Sequence, residues 1–273
     1  MFFVEPVTGA VVGKIWDERR LIAAFAKDFF DLLAKGQLKI FVFGSAGAGK
    51  STFGKILEGQ EEVAKISGSY KVSSDTEYYG VKDKHFVQVA VPPGQAAYLF
   101  SDWAPLYNAL QDSQRSVVVN IGCWGYHSAE KDELANIAEF HSGITDANRS
   151  DFLSNRRKIE LDNLEQLVQP LCGYQHKLHM ITLITKQDLW WKEKDKVRKF
   201  YEDGSEYSKK LERIRKAKGM ASFVHHFRSL SFGQINFKTA DGHTLFETAA
   251  GYDNSLLNAN FENFMTLLRQ VAK

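Results

Sequence analysis

The chain has 273 residues, 44% of them apolar, enough for one elaborated domain with a buried core. Its net charge of +2 supplies no bulk field for nucleic acid or an anionic membrane, so no nucleic-acid partner is expected. Two cysteines, Cys123 and Cys172, make no disulfide framework and point to a reducing compartment, so a cytoplasmic location is expected. The Met1–Phe3 start lacks a basic flank and meets Glu5 and Pro6, so no signal peptide is expected. No apolar run reaches the roughly 18 residues of a membrane span, and Phe2 excludes a myristoylation signal at that position.

Residues 17–35 predict a helix, with Leu21, Ile22, Phe25, Phe29, Leu32 and Leu33 on one stripe and Gly36 as its stop. That stripe packs on the domain or makes a peripheral membrane or partner contact. Leu38–Phe43 predicts a strand and Ser51–Leu57 a helix start. Residues 70–90 predict a hairpin turning at Lys82 and Asp83. A helix follows over 95–111, then a buried strand over 116–124. Residues 128–150 are polar and irregular. Residues 154–171 predict an amphipathic helix, 177–184 a strand, and 192–218 a charged, solvated helical region. Residues 243–250 close the strand series, and 256–273 form a last helix. Strands alternating with helices predict an α/β fold, a doubly wound, mostly parallel sheet with helices on both faces. The expected organisation is a single domain over 1–273. It comprises an N-terminal helical extension over 1–37 and insertions over 127–153 and 192–240.

Between the first strand and helix stands Gly44-Ser45-Ala46-Gly47-Ala48-Gly49-Lys50-Ser51-Thr52. Gly44, Gly47 and Gly49 permit backbone angles and approaches that a Cβ blocks. A loop of inward N–H groups and a helix N-terminus then suit phosphate oxygens. Lys50 can neutralise β- and γ-phosphate charge, and the Ser51 hydroxyl is placed for Mg²⁺. The pattern is that of P-loop NTPases, so a nucleoside di- or triphosphate is the expected ligand.

The strand ending at Ile184 runs into Thr185-Lys186-Gln187-Asp188, which resembles the base-recognition motif of Ras-like GTPases. A carboxylate at Asp188 can accept both guanine N1–H and N2–H₂, a donor pair that adenine lacks. Lys186 can lie over the base, and Thr185 can tie this loop to the phosphate loop. Downstream, Glu247-Thr248-Ala249-Ala250-Gly251 resembles the family's third base loop, with the Ala250 N–H meeting the guanine carbonyl and Ala249 beside it. Gly251 replaces the usual lysine. Val91-Pro92-Pro93-Gly94-Gln95 resembles the segment that senses the γ-phosphate. By that match the Gly94 N–H contacts the phosphate and Gln95 orients the attacking water. Val91 stands where the family has an aspartate, as in gliding-motility GTPases of bacteria. The switch hydroxyl for Mg²⁺ is assigned to Ser69 by spacing, with Ser67, Ser73 and Thr76 as competitors.

The resemblance implies a GTP- and GDP-binding switch with Mg²⁺, catalytic Lys50 and Gln95, slow hydrolysis, and a protein effector or activating protein. Arg156, Arg157 and Arg198 are unplaced candidates for an internal arginine finger. Two rivals stand beside it. One is a non-hydrolysing scaffold, favoured by Val91 and by the Ala46 methyl in the phosphate loop. The other is an ATPase of another P-loop branch. His176, His179, His225 and His226 lack partners at metal-ligand spacing and are expected to be structural. Trp190 and Trp191 are expected to pack, or to cover a nucleotide or partner.

Overall fold

The computed structural model describes residues 38–57, 76–79, 89–91, 99–127, 145–202, 204–234, 236–238 and 244–272. The expected helix over 17–35, the Lys82–Asp83 turn and residues 92–98 lie outside the described residues.

Among the described residues six strands form the main sheet: β1 (Lys39–Gly44), β2 (Glu77–Tyr79), β3 (Val89–Val91), β4 (Ser116–Gly122), β5 (Leu178–Ile184) and β6 (Phe223–Ser229). Their order is β2-β3-β1-β4-β5-β6. Only β2 and β3 pair antiparallel; β3, β1, β4, β5 and β6 run parallel. The expected α/β fold is present. The topology reverses at β1, whose neighbours are β3 and β4, and such a switch point opens a crevice at the carboxyl ends of the strands.

Alternation along β1 explains why both sheet faces are covered. Ile40 and Val42 pack in one apolar cluster with Phe53, Ile56 and Leu57 of helix α1 (Lys50–Leu57) and Phe264, Leu267 and Leu268 of the last helix. Phe41 and Phe43 point into a second cluster on the other face. There lie Trp103, Leu106 and Leu110 of α2 (Leu99–Gln111) and Leu164, Leu167 and Leu171 of α3 (Asp146–Gly173). All seven residues of β4 are buried. A central parallel strand needs that composition, since helices cover both its faces.

Several boundaries differ from expectation. Helix α3 begins at Asp146, inside the stretch expected to be irregular, because the Thr145 side chain accepts from the Asn148 N–H at 3.2 Å and caps it. The charged region is not one helix. After the short α4 (Gln187–Trp190) and a 3₁₀ turn (Trp191–Glu193) come α5 (Lys194–Tyr201) and α6 (Glu206–Lys218). The two are split where Ser205 caps α6 by accepting from the Ser208 N–H at 3.0 Å.

The strand that closes the main sheet is β6, not residues 243–250. Among the described residues of that stretch only Thr244–Phe246 is strand, β8, and it pairs with β7 (Phe237–Lys238) in a separate ribbon. β6 lies within 192–240, so that stretch is not wholly an insertion. Its sequence, Phe-Val-His-His-Phe-Arg-Ser, hides it. An edge strand needs a neighbour on one side only and tolerates polar side chains, and six of its seven residues are half-buried. The chain ends in α7 (Asn254–Ala272).

Candidate functional site

The phosphate loop sits at the carboxyl end of β1. Gly44 has φ 134°, and a Cβ there would stand 2.1 Å from the Ile121 carbonyl oxygen. Gly47 and Gly49 have φ 69° and 99°. These positions need glycine because L side chains rarely adopt such angles. Lys50 Nζ donates to the Ser45 carbonyl at 2.9 Å and is buried, so the lysine folds back along its own loop. Asn163 of α3 donates to Ser45 Oγ at 2.7 Å. Ala46, Gly47, Gly49, Ser51 and Thr52 are half-buried, while Ala48 is fully enclosed. This glycine cradle with a half-buried Ser51 hydroxyl at the start of α1 fits a polyphosphate and its Mg²⁺.

The second loop follows β5, two strands away at the same end of the sheet. Thr185 Oγ1 lies 2.6 Å from the Ala48 carbonyl and 3.2 Å from that of Gly122, donating across both loops. Lys186 has φ 54°, and its Nζ donates to the Tyr126 carbonyl. Burial pulls its amine down to about 8. Gln187 is buried. Its amide donates to Ser229 Oγ at 2.9 Å and accepts from Tyr252 and from Asn260 at 2.8 Å.

Asp188 is 2% exposed. Its carboxylate accepts from the hydroxyls of Ser231 and, at 3.3 Å, Thr248. Its main-chain carbonyl accepts from the Ala249 N–H at 2.7 Å. Trp190 donates through Nε1 to the Thr185 carbonyl at 2.7 Å and is buried, a packing role that also braces this loop. Trp191 meets Tyr252 edge-on, with ring centroids 5.7 Å apart.

Two separate loops therefore converge on Asp188. One, carrying Thr248 and Ala249, is part of the Glu247–Gly251 stretch singled out from sequence; Ala250 is exposed there. The other, Leu230–Gly233, follows β6 directly and was missed, because β6 itself was missed. Its Phe232 ring comes within 3.3 Å of where a Gly49 Cβ would sit and lies beside Phe53, centroids 6.3 Å apart.

A buried polar cluster lies behind the loop that follows β5. Glu160 of α3 is 4% exposed, and its Oε1 accepts the N–H groups of Cys123 at 3.1 Å and Gly125 at 2.9 Å. Tyr201 donates to Oε2 and accepts the Trp124 N–H at 3.1 Å. Burial alone would raise the Glu160 carboxyl, but His127, Tyr201 and Gly125 outweigh it and hold it below the usual range. Trp124 stands at φ 57° and Gly125 at φ 86°. A non-glycine residue there costs about 1–3 kcal/mol, sustained only by its surroundings.

Cys123, His127 and Glu160 each offer a ligand atom, a thiol sulfur, an imidazole nitrogen and a carboxylate oxygen, within 4.8 Å of one another, the geometry of a metal-ligand set. Glu160 already receives four hydrogen bonds there, one of them from the Cys123 thiol, and the cations Lys186 and Arg156 stand close by. The charge balance opposes a further cation. The sequence signal for this cluster was the placement of Glu160 and Asn163 on the leucine stripe of α3.

Gly94, Gln95, Ser67, Ser69 and Ser73 lie outside the described residues, and Thr76 precedes β2. Each of the three unplaced arginines has a partner outside the phosphate loop. Arg156 donates to the His127 carbonyl, Arg157 stacks 4.3 Å above Trp124, and Arg198 pairs with Glu202 at 2.6 Å.

No protein-family model matches the chain, and no curated protein matches it. Solved structures resemble it weakly. Toc33 from Arabidopsis thaliana in complex with GDP and Mg²⁺ is 12% identical, covering 94% of this chain and 96% of its own, with TM-score 0.44. A small COPII coat GTPase, SAR1, from Encephalitozoon cuniculi in complex with GDP is 11% identical, covering 96% and 92%, with TM-score 0.42. The GDP form of the signal recognition particle receptor SRb from Chaetomium thermophilum is 14% identical, covering 85% and 96%, with TM-score 0.37. Likeness at this level says nothing about activity, so the fold assignment stands on strand order and register.

Proposed function

We propose that the chain binds GTP and GDP with Mg²⁺ at the carboxyl ends of β1 and β5, and acts as a nucleotide-dependent switch that hydrolyses GTP slowly. The observation that carries this reading is the setting of Asp188. A buried carboxylate, flanked by the Ser231 and Thr248 hydroxyls, stands on a loop hydrogen-bonded to the phosphate loop through Thr185. A site built to pair both guanine donors rejects a base that lacks them by about 10⁴-fold or more, because buried polar groups are left unpaired.

In this reading the loop Gly44–Thr52 cradles the phosphates, and Lys50 offsets charge on the β- and γ-phosphates. Ser51, with Ser69 from the first switch, would hold Mg²⁺; the ion when bound supplies further charge stabilisation to the phosphates. Gly94 would contact the γ-phosphate and Gln95 would orient the attacking water. A protein effector or activating protein would read the switch. Residues 17–35 would pack on the domain or touch a membrane surface, and the protein would work in the cytoplasm. Among the described residues no helix is long and apolar enough to cross a membrane. The likeness of Val91–Gln95 to gliding-motility GTPases finds no support among the resembling structures and forms no part of the proposal.

Competition among GTP, GDP and ATP for the purified protein tests this reading. GTP and GDP are expected to displace labelled GDP at concentrations where ATP does not. Equal competition by ATP overturns the guanine assignment in favour of another P-loop branch.

A further inference from the structure

We infer that Glu160, on α3 and outside every segment expected to touch nucleotide, positions Lys186 by shaping the turn from Cys123 to His127. The inference rests on the guanine-nucleotide reading for its functional consequence, while its structural part stands alone.

The turn is built around the Glu160 carboxylate. Two main-chain N–H groups, Cys123 and Gly125, donate to Oε1, and between them Trp124 donates to the Tyr201 hydroxyl, which itself donates to Oε2. Such a concave run of amides, with positive φ at Trp124 and Gly125, is a nest for an anion. Gly122, at the end of β4, leaves the room: a Cβ there would come within 2.7 Å of Glu160 Oε2. Gly125 is equally hemmed in, since its Cβ would meet the Leu153 carbonyl at 2.5 Å. The next residue, Tyr126, is where the turn reaches the site. Its carbonyl accepts from Lys186 Nζ, and the His127 carbonyl accepts from Arg156.

Lys186 has no freedom to follow if that carbonyl moves. Its own backbone is in the left-handed region, its side chain is half-buried, and its amine feels the nearby charges of Arg156, Asp188 and Glu160. Its ammonium lies 5.7 Å from the Phe237 ring centroid. Replacing Glu160 by glutamine removes the negative charge from the nest and puts an NH₂ donor where Oε2 accepts from the Tyr201 hydroxyl. The strained turn then relaxes, the Tyr126 carbonyl shifts, and Lys186 loses its anchor. A lysine that lies over the base affects binding of the base and not of the phosphates. Glu160 is therefore a positioning residue for base recognition, working through a hydrogen-bond chain from α3 to the loop after β5.

The experiment compares Glu160→Gln with the parent for GDP and for inorganic tripolyphosphate, which engages the phosphate loop alone. GDP affinity is expected to fall roughly ten- to hundredfold, the range of one hydrogen bond to a charged group, with tripolyphosphate binding unchanged. Lys186→Met is expected to lose as much, and the double variant no more than Lys186→Met alone, as for residues acting in one chain. Parent-like GDP affinity in Glu160→Gln, or losses that multiply in the double variant, overturn the inference.

A ligand-free readout separates its failure from that of the guanine reading. Acetylation of Lys186 by acetic anhydride, followed by peptide mass spectrometry, is expected to be faster in Glu160→Gln than in the parent. An unchanged rate overturns the positioning role whatever nucleotide binds. A parent that binds ADP as well as GDP overturns only the base assignment. Should Glu160→Gln fail to fold, Tyr201→Phe removes one hydroxyl from the nest and carries the same comparisons.

Discussion

Thr185 Oγ1 donates to the Ala48 carbonyl at 2.6 Å across 137 residues of sequence. One hydroxyl thus holds the loop after β5 against the phosphate loop. Thr185→Val keeps the shape and leaves that buried carbonyl without its partner, at a cost of about 1–3 kcal/mol. A lower thermal midpoint together with weaker GDP binding is the expected outcome. Isothermal titration of the folded variant checks the second part; unchanged affinity would show that the loops need no such tie.

Gly44 is the position where the phosphate loop is least tolerant. Its φ of 134° and the 2.1 Å approach of Ile121 carbonyl oxygen leave no space for a methyl group. Gly44→Ala is expected to destabilise by at least about 3 kcal/mol. Chemical denaturation measures this directly. A parent-like unfolding midpoint would contradict the close contact between β1 and β4.

Asp188→Asn changes an acceptor into a group that also donates. Xanthine carries a C2 carbonyl where guanine has its amino group, so the variant is expected to lose GTP affinity and gain XTP affinity. Paired competition titrations with GTP and XTP report the switch. If the variant keeps the parent's preference for GTP, Asp188 does not read the base.

His225 predicts a pH dependence of stability. It sits in a hydrogen-bonded chain that runs across three strands. Asn120 donates to the Tyr207 hydroxyl at 2.7 Å; that hydroxyl lies 3.0 Å from Thr182 Oγ1, which lies 2.9 Å from His225 Nε2. Burial, with Arg215 and His226 nearby, pulls the imidazole from 6.5 down to about 4. The unfolded chain therefore binds more protons than the native one between about pH 6.5 and 4, so native stability falls as pH drops through that window. The loss is on the order of 3 kcal/mol. Urea midpoints measured from pH 7 to 4 should decline less steeply in His225→Gln than in the parent.

Gln95→Leu is expected to slow single-turnover GTP hydrolysis well below the parent while nucleotide affinity stays nearly the same. Without an arginine finger, P-loop GTPases turn over at only about 10⁻⁴ to 10⁻³ per second, so on the proposed reading the parent itself should be slow. Equal rates in both proteins would show that another residue places the water.

Local spacing was enough to locate β1, the phosphate loop and α1. Glycines, lysine and hydroxyl act there within one turn of chain, and their conformational demands are written in neighbouring residues. The apolar runs at 116–122 and 178–184 marked β4 and β5 for a similar reason: a strand buried on both faces has no place for a polar side chain without a partner. The Thr185–Asp188 loop was legible because it begins where such a strand ends.

The last strand was not legible, since β6 is an edge strand with two histidines and an arginine, held to β5 by main-chain hydrogen bonds that any sequence can make. Missing it hid Ser231, which reaches Asp188 only because β6 lies beside β5. Glu160 and the turn at Cys123 are likewise joined by packing alone. Their contact depends on α3 crossing the end of β4, and no sequence interval records which distant residues a folded chain brings within 3 Å.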